Sequence, residues 1–424
     1  MANQRIRDLI WRPNILAKRA CTVAAAGFAV FLFALSFLSD SRTKTDLGSD
    51  QAATDLVPLT LLRNAHQKGA FCLDGSVPGY HFQKGFGSGS RNWVLHIEGG
   101  GWCNTVASCS YRQKTVLGSS NYVEHPIQFS GILSRDPLQN PDFFSWNKVK
   151  IRYCDGGSFA GNPESEFKNG TKLFFRGQLI WEALMDQLLS VGLSDARQAL
   201  LSGCSAGALA TLIHCDDFRN ILPAADVKCL SDAGFFLNAK DIAGNRTIEA
   251  FYHEVVHLQG ITESLKRDCV KKMEPSKCFF PQEFISSIKT PVFLVNPAYD
   301  FWQIQNILLP VASDPHGMWS KCKLNIKYCS PTQVEVLQGY RNLLLKALTE
   351  YHQTKDSGMF INSCYVHCQT WMTQTWHAPN SPRINNKTIA ESVGDWYFNR
   401  AAKHIQIDCP YPCNPTCYNM DFTR

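Results

Sequence analysis

Three polar residues, Ser205, Asp300 and His367, each follow a short β-rich run of the sequence. Ser205 is the centre of a Gly-x-Ser-x-Gly pattern, and such a pattern between a strand and a helix makes a sharp turn that exposes the serine hydroxyl. A serine becomes a nucleophile when a histidine accepts its proton and an acid orients that histidine. We therefore predict that Ser205 is the nucleophile, Asp300 the acid and His367 the base of a catalytic triad.

Other residues compete for these roles. Asp232 also follows a predicted strand and is the alternative acid, and His377, in a Trp-His-Ala-Pro segment, is the alternative base. Cys204 competes as nucleophile by adjacency, but the side chain before the nucleophile of such a turn points away from the substrate. We interpret the other histidines as packed or solvated residues, among them His96, His253 and His257.

A run of glycines, Glu98-Gly99-Gly100-Gly101-Trp102, directly follows another predicted strand. Consecutive glycines let backbone N–H groups point at one spot, and such groups stabilise the oxyanion that forms during acyl transfer. We predict an oxyanion hole made by the N–H groups of Gly101, Trp102 and Ala206.

Bulky aromatic residues accompany the predicted catalytic groups. Trp102 follows the oxyanion glycines, and Phe301 and Trp302 follow the acid. We predict that these three side chains bind the substrate, leaving room for an acetyl group and excluding a long acyl chain. The same aromatic residues, together with Trp371 and Trp376, could equally be part of the core.

From residue 57 onward, β-rich runs alternate with helical patterns. Helical periodicity is found at Leu179–Leu189 and Val334–Tyr351. The alternation predicts one α/β catalytic domain over 57–424, α/β-hydrolase-like, with a mainly parallel sheet covered by helices on both faces. Loops at the carboxyl ends of its strands would carry the chemistry. The predicted strands are Trp93–Ile97, Val149–Tyr153, Ala199–Ser202, Val227–Leu230, Pro291–Val295 and Met359–Ile361.

Composition narrows the classes of function. Of the 424 residues, 45% are hydrophobic and 18% are charged, which excludes a disordered chain. The net charge is +6, of which residues 1–19 hold +4, so the rest of the chain carries only +2. A nearly neutral body argues against nucleic acid as a partner. We expect a monomer.

The cysteines predict an oxidising compartment. Of 17 cysteines, Cys21 lies in an N-terminal apolar stretch, and the other 16 form an even set typical of a disulfide-bonded secreted or lumenal protein. Close pairs at 103 and 109, 269 and 278, and 322 and 329 would each close a short loop. Clusters at 364–368 and 409–417 lack the Cys-x2-Cys pairs of structural zinc sites, so we predict no metal. Glycosylation sequons begin at Asn169, Asn245 and Asn386.

The N-terminus has the features of a targeting segment. A basic region, 1–19, precedes the uncharged stretch 20–38, which is just long enough to cross a bilayer. The basic side predicts a cytoplasmic N-terminus. We favour an uncleaved type II signal anchor, which would be the protein's membrane contact, over a long cleaved signal peptide. Residues 39–56 are polar and are predicted to be a linker.

The whole chain from about residue 57 resembles the plant pectin acetylesterase family, relatives of the Notum carboxylesterases. This resemblance implies an α/β-hydrolase-like fold, a serine nucleophile at Ser205, an acid at Asp300, a base at His367 and no cofactor. It also implies hydrolysis of acetyl esters on cell-wall pectin. Ala208 departs from the family pattern, which usually has another glycine there, and the apolar N-terminal segment is longer than a plain secretion signal. The segments that carry the resemblance are WVLHIEGGGWC, NPDFFSWNKVKIRYCDGGSF, LLSGCSAG, NPAYDFWQIQ and Cys-x2-His-Cys-Gln.

Two other functions remain open from the sequence. One is a deacylase of a different ester, such as acetylated xylan or a fatty acyl group on a protein. The other is a non-catalytic cell-wall glycoprotein with the same fold. The ordered presence of a serine, an acid and a histidine disfavours the second.

Overall fold

A computed structural model describes residues 56–163, 173–349, 351 and 356–423. Strand formation follows the apolar runs of the sequence, and most strands begin or end within two residues of the predicted positions. The strands are β1 (Leu56–Val57), β2 (Leu59–Leu61), β3 (Gly79–Gln83), β4 (Asn92–Ile97), β5 (Ile127–Gln128), β6 (Asn147–Ile151), β7 (Gln198–Cys204), β8 (Asp226–Asp232), β9 (Val292–Val295), β10 (Gly358–Ile361) and β11 (Ile405–Ile407).

Helices connect these strands, and a π-helical turn, Ile304–Leu308, and several 3₁₀ turns lie between them. The helices are α1 (Ala65–Lys68), α2 (Val106–Arg112), α3 (Gly177–Ser190), α4 (Ala206–Asn220), α5 (Thr247–Gln259), α6 (Arg267–Val270), α7 (Phe301–Gln303), α8 (Ser320–Leu324), α9 (Pro331–Ala347), α10 (Thr373–Trp376) and α11 (Ile389–Tyr397).

Nine strands form one sheet in the order β11-β10-β9-β8-β7-β4-β6-β3-β2. All neighbours from β11 to β6 are parallel, and β3 and β2 continue the sheet in antiparallel fashion. Strands β1 and β5 pair separately. The predicted α/β class with a mainly parallel sheet is thus confirmed. The carboxyl ends of β4, β7, β8, β9 and β10 lie side by side at one edge of the sheet, where the predicted catalytic residues follow them.

Helices cover both faces of this sheet, as β8 shows. Lys228 donates a hydrogen bond to the Tyr397 carbonyl at the end of α11, 2.8 Å away. The next residue, Cys229, is disulfide-bonded to Cys215 of α4. Successive strand residues point to opposite faces, so α11 packs on one face and α4 on the other. Leu230 of the strand and Trp396 of α11, both at most 1% exposed, belong to the core on the α11 side.

Helix α9 begins earlier than predicted, at Pro331 rather than at Val334, and ends at Ala347. Ser330 and Gln333 form a reciprocal capping box at its start, and proline is at its first position. Both features favour a helix start without contributing apolar periodicity. The apolar pattern therefore missed the first turn.

All 16 cysteines after Cys21 are paired in eight disulfides. Three of these close the short loops expected from the spacing, at 103 and 109, 269 and 278, and 322 and 329. The zinc alternative for the two C-terminal clusters is excluded for these thiols, because each is already bonded to another cysteine. Such a set of disulfides is typical of a protein of the secretory pathway.

Several predictions concern residues outside the described part. The basic tail 1–19, the apolar stretch 20–38, most of the linker 39–56 and the sequon at Asn169 lie there, although β1 already begins at Leu56. Across the described residues, no helix has the length and apolar character needed to cross a bilayer. The other two sequon asparagines, Asn245 and Asn386, are exposed, and their glycosylation stays a prediction.

Candidate active site

Ser205 occupies the turn between β7, which ends at Cys204, and α4, which begins at Ala206. Its backbone has φ 57° and ψ −125°, a conformation that a residue with a side chain rarely adopts. The flanking glycines permit this turn, because a Cβ on Gly207 would lie 2.4 Å from the Glu98 carbonyl oxygen. The pattern therefore forms the strained strand-to-helix turn expected from the sequence.

His367 and Asp300 are in direct contact. The Nδ1 of His367 lies 2.8 Å from Oδ2 and 2.9 Å from Oδ1 of Asp300, so the imidazole donates to this carboxylate. Asp300 is only 1% exposed and also accepts from the Gln303 N–H as the N-cap of α7. The Nε2 of His367 is buried and has no hydrogen-bond partner among the described residues. That nitrogen is available to accept a proton.

Asp232, the alternative acid, contacts the histidine loop differently. Its Oδ2 accepts hydrogen bonds from the backbone N–H groups of Gln369 and Thr370, at 2.6 and 2.7 Å, and from the Thr370 hydroxyl. Its backbone carbonyl accepts from Ser205 N–H. Burial raises the pKa of Asp232 to about 6. Asp232 thus ties the serine turn to the segment after His367.

The alternative base, His377, lies elsewhere in the hydrogen-bond network. Its Nδ1 is 2.9 Å from the hydroxyl of Thr388, the residue that caps the start of α11. The imidazole of His377 therefore lies at the start of α11, and this hydrogen bond involves none of the predicted catalytic residues. The contact between imidazole and carboxylate needed for a triad is made by His367 instead.

A disulfide joins the serine turn directly to the histidine loop. Cys204, which precedes Ser205, is bonded to Cys368, which follows His367, and their Cα atoms are 5.6 Å apart. A second disulfide, Cys364 to Cys417, holds the other side of the histidine loop. Cys204 is therefore not a free thiol that could compete with Ser205 as nucleophile. Its disulfide links the serine turn covalently to the histidine segment.

The glycine run after β4 is held by its carbonyl groups. Arg112 donates to the Gly100 carbonyl at 2.7 Å, and the Tyr153 hydroxyl donates to the Gly101 carbonyl at 2.7 Å. Gly101 has φ +63°, in the left-handed region that favours glycine. In the turns, loops and caps of the described residues, the backbone N–H groups of Gly101, Trp102 and Ala206 donate to no backbone carbonyl. They are available to bind an anionic oxygen.

Ser158 connects the two segments that carry these N–H groups. Its hydroxyl accepts from the Trp102 indole N–H at 2.7 Å and donates to the Ala206 carbonyl at 2.8 Å. Its own N–H donates to the Tyr153 hydroxyl. Sequence reasoning missed Ser158 and Tyr153. The only signal was their place in the YCDGGSF segment, residues 153–159, and its glycines.

Glu98, at the start of the glycine run, belongs to a charged cluster. Its carboxylate lies 2.7 Å from Arg152 and 3.3 Å from Lys150. Burial would raise the pKa of Glu98, but these two cations outweigh burial and lower it to about 2. Glu98 is therefore a carboxylate locked in ion pairs, and its contacts anchor the end of β4 to the end of β6.

Aromatic rings crowd the space beside the glycine run. The Trp102 ring makes edge contacts with Phe236, Tyr252 and Trp302 at centroid distances of 5.0, 5.1 and 5.8 Å. Trp302 also stacks on His367 at 6.1 Å. Phe301 is 5% exposed and packs behind His367, whereas Trp371 is partly exposed and Trp376 is fully buried in the core.

Among the described residues, two groups of side chains could hold a metal ion. Asp408, Cys409 and Cys413 are one group, but the two cysteines are bonded to each other. The other group consists of His253 and His257 on α5 and Glu274, which lies after α6. Neither group includes the predicted catalytic residues.

Comparison with known proteins gives the family. The pectinacetylesterase family model matches residues 50–418. The chain is 62% identical to pectin acetylesterase 5 of Arabidopsis thaliana over 429 residues, covering 100% of both chains. It is 31% identical to the palmitoleoyl-protein carboxylesterase NOTUM of Mus musculus over 372 residues, covering 82% of this chain and 69% of that protein.

The fold has a solved counterpart. The structure of the Wnt deacylase Notum from Drosophila matches with a TM-score of 0.72 and 23% identity, covering 86% of this chain and 99% of that one. An identity this low supports the shared fold alone. The sequence matches carry the classification: the chain belongs to the pectinacetylesterase family and is a carboxylic ester hydrolase.

Proposed function

We propose that this esterase removes acetyl groups from cell-wall pectin by a serine mechanism with an acyl-enzyme intermediate. The contact between His367 and Asp300 beside the strained Ser205 turn carries the proposal. Pectin is the substrate class named for the plant relatives, and the domain that performs the reaction is 57–424. The fatty acyl group named for the Notum relatives belongs to more distant proteins.

The reaction begins when His367 Nε2 accepts the proton of Ser205 and the serine oxygen attacks the ester carbonyl. The N–H groups of Gly101, Trp102 and Ala206 stabilise the resulting oxyanion. The imidazolium donates its proton to the departing sugar oxygen, which leaves acetyl-Ser205. Water, deprotonated by the same histidine, then attacks the acetyl carbon; the bond to the Ser205 oxygen breaks, the histidine returns the proton to that oxygen, and acetate leaves. Asp300 stabilises the imidazolium in both halves of the reaction.

Release of acetate tests the substrate. We expect the purified protein to liberate acetate faster from acetylated pectin than from acetylated xylan at equal acetyl concentration. A long-chain acyl ester is the third substrate, and its cleavage is followed by release of the fatty acid, because it holds no acetyl group. Faster cleavage of xylan or of the long-chain ester would replace pectin with that substrate.

Chain-length preference is the first prediction. The rings around Trp102 pack closely together beside the oxyanion glycines, so a long acyl chain would have to displace side chains, whereas an acetyl group needs the least room. An open apolar pocket would instead gain roughly 0.8 kcal/mol per added methylene. We expect kcat/KM on aryl esters to fall from acetyl to octanoyl and palmitoyl. A maximum at eight carbons or beyond would favour a lipid deacylase.

Ser158 gives the second prediction. Ser158→Ala removes both the acceptor for the Trp102 indole and the donor to the Ala206 carbonyl. Because these contacts orient N–H groups that act on the transition state, we expect kcat to fall at least about tenfold with little change in KM. The matched control is Ser313→Ala, which also removes a buried hydroxyl bonded to one backbone carbonyl. Equal kinetics for the two variants would contradict this role.

The disulfide between Cys204 and Cys368 gives the third. Replacing both with alanine frees the serine turn from the histidine loop. We therefore expect kcat to fall even at temperatures where the variant is fully folded. Loss of a disulfide costs roughly 2–5 kcal/mol, so kinetics are measured well below the unfolding temperature of each variant. The control replaces Cys409 and Cys413, which close an exposed loop. Undiminished kcat without the first disulfide would show that the bond only stabilises the fold.

A further inference from the structure

Two histidines and a glutamate converge on the surface of α5 away from the predicted catalytic residues. His253 and His257 are one helical turn apart on the exposed side of α5, and Glu274 approaches from the loop after α6. One potential ligand atom from each lies within 4.8 Å of the other two. His257 Nε2 and Glu274 Oε1 are 3.3 Å apart, and the two imidazole rings have centroids 4.2 Å apart.

We propose that His253, His257 and Glu274 form a binding site for a divalent transition-metal ion, with Zn²⁺ as the reference ion. Two histidines at i and i+4 on one helix face can bind one zinc ion together. Ligands about 2.0–2.1 Å from a tetrahedral zinc ion lie about 3.4 Å from each other, which the His257–Glu274 pair already matches. Small rotations of the exposed His253 side chain bring in the third ligand.

The donor set selects the class of metal. Imidazole nitrogen suits Zn²⁺, Cu²⁺ and Ni²⁺, whereas Ca²⁺ and Mg²⁺ require oxygen ligands in larger number. The side chains of His257 and Glu274 are 54% and 38% exposed, so an ion can reach them from solvent. Three protein ligands leave a fourth position for water.

The backbone around the site is fixed. Glu274 lies in the loop closed by the Cys269–Cys278 disulfide, and its second oxygen accepts a hydrogen bond from Ser276. Aromatic packing joins this loop to α5, because the Tyr252 ring is 4.8 Å from that of Phe279. A site whose ligands stand on backbone segments that are already held together loses less entropy when the ion binds.

The ion would connect α5 with the loop that holds Glu274, and aromatic residues of both pack against Trp102. Tyr252 of α5 and Phe279 next to the loop both contact the Trp102 ring. A metal bridge between helix and loop would therefore stabilise the wall on which Trp102 packs. Glu254, between the two histidines, is not one of the ligands, and its carboxylate accepts a hydrogen bond from Asn104.

Calorimetric titration of the chelator-treated, untagged protein with Zn²⁺ tests the site. We expect saturable binding of one equivalent and a higher unfolding temperature with Zn²⁺, and neither effect with Mg²⁺ or Ca²⁺. His253→Ala and His257→Ala should each weaken binding at least about tenfold. The control His316→Ala removes an exposed histidine outside the cluster and should change nothing.

Two results would overturn the proposal. One is the absence of saturable Zn²⁺ binding by the wild-type protein. The other is undiminished affinity in the double variant His253→Ala, His257→Ala, which would place the ion elsewhere. All three ligands are at the surface, and circular dichroism establishes that each variant is folded before titration.

Discussion

Ser205→Ala is expected to lower kcat for acetyl esters by about a million-fold, the scale for losing a serine nucleophile. The variant removes a single oxygen from a turn whose backbone is shaped by its neighbours, because Gly203 and Gly207 are packed against backbone atoms. Alanine carries the same Cβ as serine, so it adds no new backbone strain at φ 57°. We therefore expect an unchanged unfolding temperature together with loss of activity.

The measurement is steady-state hydrolysis of an aryl acetate, with wild-type contamination excluded by active-site titration. Thiol alkylation of the native wild-type protein is the companion control, because Cys204 is disulfide-bonded and should not react. If Ser205→Ala retained more than a few per cent of activity, the nucleophile would lie elsewhere. Inactivation by the thiol reagent would point to a cysteine.

Central strands such as β9 and β10 were predictable because they are apolar runs buried on both faces. Strands β1, β2, β3, β5 and β11 were not predicted, and β3 and β11 show why. Strand β3 contains His81, which is fully buried, and its Nδ1 lies 3.0 Å from the Val57 carbonyl while its Nε2 accepts from Arg152. A polar residue that is satisfied only by tertiary contacts breaks the apolar pattern. Strand β11 is only three residues long and lies at the edge of the sheet, where Ile405 and Ile407 are exposed. It therefore lacks the long apolar run by which a buried strand is identified in a sequence.

The candidate site divides in a similar way. Residues whose side-chain chemistry suggests a catalytic role, such as His367 and Asp300, could be proposed from their order along the chain and their position after predicted strands. Ser158 and the Cys204–Cys368 bond could not be found this way, because their role depends on which distant backbone they meet. Ser158 reaches Trp102 and Ala206 from a loop far from both in sequence, and no local pattern encodes that meeting.

Asp300→Asn is expected to lower kcat by roughly 10⁴-fold. The carboxylate accepts the Nδ1–H of His367 and so leaves Nε2 free to take the serine proton. An asparagine amide can donate to Nδ1, which would place the imidazole proton on Nε2, the wrong nitrogen for a base. It also removes the charge that stabilises the imidazolium. Folding should be retained, because the asparagine oxygen can still accept from Gln303 at the start of α7.

Asp232→Asn is the matched comparison, since both carboxylates are buried and both contact the histidine loop. Asp232 acts on backbone N–H groups at Gln369 and Thr370, and an amide oxygen can accept from them as well. Burial raises the pKa of Asp232 to about 6. Near that pH the wild-type carboxylate is already partly protonated, so the substitution removes less charge from the site. We therefore expect a much smaller loss of kcat than at Asp300. The opposite ranking, measured on the same acetyl ester and with both variants folded, would make Asp232 the acid.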